Sequence, residues 1–290
     1  MEHKYFPEPV DEEKELNYLL EPLINNVASQ QVEADHDDTT TRNVVSYVQS
    51  VRPVLQKGPM CGLVALTMAS ELLNPTSCHE ASSSQSNTHP GSILEFARHT
   101  ELTKHGEMFS TQYMKRIVQE HLSLKAKVLQ TESLSEMELI ELLLSTTKTI
   151  LVPYDADKNH TPCLAKGHKA HWCLLVGFVL CLTTDGRNTT LQQFTQPTNK
   201  RHLLLKEDNS KELFRTMLSS EKCRINELHI FARHGKSRYM GLWSWTELKR
   251  SNENLLEIDP QRTQPGEYVF PTSGGINEGL CNQIVIVSNQ

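Results

Sequence analysis

Hydrophobic and polar positions change rhythm along this chain. Before Ile150 the apolar positions recur three and four residues apart. Leu16, Leu19, Leu20 and Leu23 do so within 11–25, which predicts a helix there. Ala65, Met68, Ala69, Leu72 and Leu73 do so behind Cys61, and Asn74-Pro75 stops that second helix. The stretch 93–121 reads as further helices, and Ser133-x-x-Glu136 ahead of MELIELLLS reads as a capping box that opens another. From Ile150 the texture becomes strand-like: ILVPY, HWCLLVGFVL, HLLLK, ELHIFARHG and QIVIVS are short runs rich in β-branched and aliphatic residues. Helices early and strands late predict an α+β fold, with a helical N-terminal part and a C-terminal antiparallel sheet. VEADHDDTTTRN (32–43) reads as polar loop, and CHEASSSQSNTHPGS (78–92) as a Ser-rich insertion, either a lid or a plain loop.

Charge divides the chain unevenly. Residues 1–50 carry 11 acidic and 3 basic side chains, whereas the rest is nearly balanced, with 24 acidic and 26 basic. The expected organisation is therefore an acidic, flexible arm over 1–43, solvated or partner-binding, and one domain over 44–290. A net charge of −6 argues against a nucleic-acid footprint. The longest apolar run, Ala170 to Leu182, is 13 residues, against the roughly 20 that a membrane span needs. The opening MEHKYFPEPVDEEKEL has no cationic start followed by an apolar stretch, so no signal peptide is read there. Seven cysteines, an odd number without a C-x-x-C pair, fit a reduced, cytoplasmic protein. No dinucleotide or phosphate-loop fingerprint occurs, and no cofactor is expected.

QKGPMCGLVALTMA (56–69) holds the strongest chemical signal. Cys61 stands at the start of an apolar helix, where backbone N–H groups and the helix dipole favour a thiolate. Pro59 has no N–H to donate, and Gly62 leaves space beside the sulfur. Gln56 is placed to supply a side-chain amide which, with the Cys61 N–H, would form an oxyanion hole. The plainer alternative is a buried cysteine beginning an ordinary core helix, since cysteine is among the most buried residue types. The matching base is His171, at the start of the strand in GHKAHWCLLVGFVL (167–180), with His168 in the preceding turn. A cysteine on an early helix and a histidine on a later strand is the papain-like order. The competing reading of Cys163, His168, His171 and Cys173 is a zinc site, but structural zinc pairs its ligands on separate knuckles, and no metal is expected. The third, orienting residue stays open among His234, Asn252 and Asp259.

QKGPMCGLVAL, GHKAHWCLLVGF, HGKSRYMGLWSWTELKRSNENL and PTSGGINEGLCNQIVIV together resemble the actin maturation protease family over roughly residues 44–290. More distantly, the cysteine region resembles the papain-like double-glycine leader peptidases. The resemblance implies a cytoplasmic cysteine aminopeptidase that removes acetyl-Met or acetyl-Cys from the N-terminus of new actin. It places the nucleophile on Cys61, the base on His171 and the oxyanion amide on Gln56, with no metal or organic cofactor. Some family members begin with a proline-rich arm suited to profilin. Here the start of the chain is acidic, with Pro7 and Pro9, so profilin recruitment is not expected. An acidic actin N-terminus would suit basic residues beyond the cut, for which Lys236, Arg238, Lys249 and Arg250 are candidates. The rival functions are another thiol acyltransferase or isopeptidase on the same fold, and an actin or profilin binder that has lost catalysis.

Overall fold

The computed structural model describes residues 5–8, 10–34, 40–74, 86–185, 195–199, 202–205, 208–218, 223–262 and 266–289. Most of the Ser-rich segment 78–92 lies outside them. In chain order the elements are α1 (Glu12–Ala34), β1 (Thr40–Val48), α2 (Cys61–Leu73), α3 (Pro90–His99), α4 (Thr111–Glu120), β2 (Lys125–Gln130), α5 (Glu136–Leu144), β3 (Lys148–Ala156), β4 (Pro162–Cys163), β5 (Ala170–Asp185), β6 (Thr195–Asn199), β7 (His202–Leu205), α6 (Asp208–Leu218), β8 (Cys223–His234), β9 (Gly241–Ser244), α7 (Trp245–Glu253), α8 (Gly275–Leu280) and β10 (Gln283–Ser288).

The class is α+β, built on one ten-stranded sheet ordered β2-β10-β3-β5-β1-β7-β6, with β4 on β3, β8 on β5 and β9 on β8. β5 is its spine. β3 pairs with Ala170–Leu175 and β1 with Gly177–Asp185, in succession along one edge, while β8 pairs along the other. Its side chains serve two cores. Trp172, Leu174, Val176, Val179 and Cys181 join α1–α4 on one face. Cys173, Leu175, Phe178, Leu180 and Leu182 join α5, α6 and α7 on the other. A strand covered on both faces reads as a continuous apolar run, which is why HWCLLVGFVL lacks alternation.

Three expectations need correction. The sheet is neither wholly C-terminal nor wholly antiparallel: β1 lies beside β5 and pairs in parallel with β7. Its first residues fall in the expected loop 32–43, and pairing to Thr183–Asp185 overrides their local polarity. The expected arm over 1–43 is partly built into the fold. α1 extends past 25 to Ala34, buries Leu16, Leu20 and Val27 in the first core, and contributes the buried Glu15. Leucines at helical spacing find cover here, whatever the surrounding charge. The capping box sits two residues later than expected, with Ser135 and Glu138 exchanging bonds at the start of α5.

α2 is buried along 12 of its 13 residues, every one except Leu72, so it is a central helix rather than an amphipathic surface one. Gly177 marks the handover from β3 to β1, where a Cβ would collide with the Tyr47 carbonyl oxygen. Gly177→Ala is expected to lower stability by about 1–3 kcal/mol through overpacking, read as an earlier urea midpoint with an unchanged m value.

Candidate active site

The site forms where the first turn of α2 meets the first residues of β5. Cys61 is the first residue of α2, and Met60, the N-cap, makes no side-chain capping bond to that turn. Behind Cys61, a Cβ on Gly62 would lie 2.9 Å from Met108 Cβ and 3.2 Å from Trp172 Cδ1. Only glycine allows so close an approach without displacing a neighbour. Trp172 Nε1 donates to the Met108 carbonyl at 2.8 Å, locking the β5 start against the segment beside α2. Trp172 thereby fixes its neighbour His171 at the end of the sheet. Gln56 precedes the helix. Its backbone N–H donates to Gly235 O at 2.7 Å, and its Nε2 donates to Gly58 O at 2.5 Å. A carboxamide nitrogen carries two hydrogens, so this bond fixes the amide and leaves it a second donor. Gln56, Cys61 and His171 line one cavity of about 270 Å³, with Met108, Phe109 and Trp172 as its apolar wall.

His171 is only 6% exposed, and its Nε2 has no hydrogen-bond partner among the described residues. Burial first, then the nearby His234, Lys236 and His160, push its pKa down to about 3. The unliganded imidazole is therefore neutral at pH 7. Three rings surround it: Tyr154 edge-on at 5.8 Å, His160 stacked at 6.3 Å and His234 edge-on at 5.9 Å between centroids. Tyr154 Oη donates to the His160 carbonyl at 3.0 Å and so holds that loop against His171. His234 is itself pushed down to about 4 by burial and then by His160, Arg233 and Lys236. Burial of a cationic imidazole beside other basic groups is costly, which is why both His171 and His234 are pushed down.

Of the three candidates for the orienting residue, His234 comes to the side of His171, with Cys173 as its cross-strand partner. Asp259 lines a second cavity, of about 310 Å³, onto which His171 also opens. Asn252 lies elsewhere. It accepts from Thr131 Oγ1 at 2.6 Å and donates to the carbonyls of Pro153, Leu280 and Gln283, which is a structural hub. The four residues of the zinc pattern are not gathered either. His168 Nε2 pairs with Glu257 at 3.1 Å, and Cys173 Sγ donates to Val152 O inside the second core. No group of three or more His, Cys, Asp or Glu able to hold a metal occurs among the described residues. Of the expected basic run, Lys236 lines both cavities, while Arg238 lies over the Tyr239 ring and Lys249 pairs with Glu253. A larger cavity, about 1160 Å³, lies over α5 and the β2 edge and contains none of the candidate residues.

Sequence reasoning missed Asp155. It is fully buried at the end of β3 and accepts N–H bonds from Ala165 at 3.0 Å, Gly167 at 2.8 Å and Lys169 at 2.9 Å. Burial raises its pKa, and these backbone donors oppose that rise. Ser251 Oγ accepts from the Asp155 N–H at 2.9 Å and donates to Cys163 O at 2.7 Å, completing a clamp on the loop that leads into β5. The only sequence signal is a carboxylate closing the apolar run ILVPYD. Asp155→Ala leaves three backbone donors, that of Gly167 fully buried, without their acceptor. Its expected cost is about 3 kcal/mol, read by urea unfolding, with faster amide exchange across 165–169.

Comparison with known proteins places this chain in a family. The family model described as "Actin maturation protease-like, C-terminal domain" matches residues 51–179, which include Gln56, Cys61 and His171. The chain is 33% identical to the Actin maturation protease of Xenopus tropicalis over 242 residues, covering 83% of this chain and 72% of that one. It is also 33% identical to that of Danio rerio, covering 83% and 73%, and 30% identical to that of Drosophila melanogaster, covering 82% and 69%. No solved structure matches. The chain belongs to the actin maturation protease family.

Proposed function

We propose that this chain is an actin maturation protease: a papain-like cysteine aminopeptidase that removes the N-acetylated first residue, Met or Cys, from new actin. The observation that carries the reading is the buried, unpartnered Nε2 of His171 on the wall of the cavity that Cys61 and Gln56 also line. A buried imidazole without a partner is costly in a merely structural core, and a reacting thiol supplies the missing partner.

Neutral His171 takes the proton from Cys61 as the sulfur attacks the carbonyl of the acetylated residue. The C–S bond forms, and the carbonyl oxygen becomes an oxyanion held by the free N–H of the Gln56 amide and the Cys61 backbone N–H. His171, now protonated, gives its proton to the leaving amine of the second residue, the C–N bond breaks, and an acetyl-aminoacyl thioester remains on Cys61. Water, deprotonated by His171, then hydrolyses the thioester and returns the thiol. No cofactor enters. The cytoplasm, where thiols stay reduced, suits this chemistry.

The cavity suits a capped residue. A peptidase that reads a free amine needs a carboxylate to pair with it. The carboxylate in this wall, Glu107, is 2% exposed and already accepts from the backbone N–H groups of Lys104, His105 and Val269. An acetyl group carries no charge and asks for none. The apolar faces of Met108, Phe109 and Trp172 suit a Met or Cys side chain. Profilin has no part in this reading.

The test uses actin-like N-terminal peptides beginning acetyl-Met or acetyl-Cys, with products weighed by mass spectrometry. Wild type is expected to shorten them by one acetylated residue. Cys61→Ala and His171→Ala are expected to lose turnover with the fold intact, and Gln56→Ala to lose about 10²–10³-fold in kcat. Turnover by Cys61→Ala would overturn the reading. The low pKa of His171 gives a further expectation. A base that titrates near 3 stays neutral as pH falls from 7.5 to 6, so kcat/KM should hold level across that range. An acid limb centred near the ordinary imidazole value of about 6.5 would place the base elsewhere.

A further inference from the structure

The N-terminal segment touches the loop that carries Gln56, although residues 5–34 lie outside the span matched by the family model. Tyr5 O accepts the N–H of Leu55 at 2.7 Å. The next residue, Gln56, gives its own N–H to Gly235 O at 2.7 Å. Consecutive amides of an extended chain point to opposite sides. The loop is thus held from one side by Tyr5 and from the other by the turn between β8 and β9.

Tyr5 and Phe6 add side-chain contacts along the same loop. Lys57 Nζ lies 3.9 Å from the Tyr5 ring centroid, Arg52 lies 4.0 Å from that of Phe6, and Tyr5 Oη contacts Met60 Sδ at 3.9 Å. Both rings pack on His89, at 5.5 and 6.2 Å. The β8–β9 turn is fixed from α1 as well. The Glu15 carboxylate accepts from Arg233 Nη2 at 3.2 Å and from the Met240 N–H, and Arg233 Nη1 donates to Arg238 O at 2.6 Å. Glu15 and Arg233 are 4% and 2% exposed at their side chains, so this ion pair is screened far less than a surface one. Glu12 accepts from Ser50 Oγ at 2.6 Å, at the foot of the same loop.

We propose that residues 5–8 and 10–15 strap the loop so as to position the Gln56 amide against Cys61, with Tyr5 and Glu15 as positioning residues for the oxyanion hole. The proposal rests on the protease reading for its catalytic consequence, and on packing alone for its structural one. An oxyanion donor displaced by a fraction of an ångström loses most of its effect, whereas ground-state binding of the peptide is little changed.

Three variants test it: a deletion of residues 1–8, Tyr5→Ala and Tyr5→Phe. The first two are expected to lower kcat about 10–100-fold with KM within about twofold, whereas Tyr5→Phe, which keeps the ring against Lys57 and His89, stays near wild type. Iodoacetamide alkylation of Cys61 needs no oxyanion hole and should keep its wild-type rate in all three. A double-mutant cycle separates positioning from general loosening: in a Gln56→Ala background, Tyr5→Ala should cost no further kcat. Equal losses in both backgrounds, or unchanged kcat in the deletion variant, would overturn the strap. If the wild type cleaves no peptide, the protease reading fails and the strap is judged by amide exchange. Faster exchange over residues 55–60 in the deletion variant supports it, and unchanged exchange there refutes it.

Discussion

The whole site depends on one close approach, that of the α2 start to the β5 start across Gly62. Trp172 lies against the glycine and is tied to Met108 O, so the helix and strand ends interlock with no room for a Cβ. This contact decides that residue 61 and residue 171, 110 positions apart, share one cavity. It also decides the electrostatics. A strand end packed this tightly buries His171, and burial is the first cause of its lowered pKa. The proposed base is therefore held in its neutral form. In the proposed mechanism the proton moves from sulfur to imidazole during attack, and the resulting imidazolium then serves the leaving amine.

The surroundings follow from the same constraint. A buried neutral imidazole cannot be oriented by solvent, so the protein orients it through packing. Tyr154, His160 and His234 enclose the ring, and Asp155 fixes the loop that feeds it into β5. An orienting carboxylate would raise the pKa of His171 and favour a standing ion pair with Cys61. Burial beside His234, without a carboxylate neighbour among the described residues, does the reverse. A histidine at the place expected for Asp or Asn is thus consistent with a base kept uncharged between turnovers.

What was legible in the sequence was local. The Gln-x4-Cys-Gly pattern ahead of an apolar helix located the α2 start, and Ala-His-Trp ahead of an apolar run located the β5 start, because each signal lies within a few residues. What was not legible needs a partner distant in the chain. Asp155 is informative only once Ala165, Gly167 and Lys169 fold back on it. Glu15, in a strongly acidic stretch, reads as solvated until Arg233, 218 residues later, is placed beside it. The first residues of β1 look like loop because their polarity is local, while their pairing to β5 is not. The misplaced capping box has a smaller cause: Ser133 and Ser135 both precede a glutamate by three residues, and only the backbone decides between them.

The central claim is that Cys61 carries the acyl group of the substrate's first residue. Acid quenching within a single turnover, followed by intact and peptide-level mass spectrometry, tests it directly. The account predicts a transient adduct with the mass of the acetyl-aminoacyl group on the peptide containing Cys61, which hydroxylamine releases as a thioester. Cleavage that proceeds with no adduct, or with the adduct on another cysteine, would contradict it.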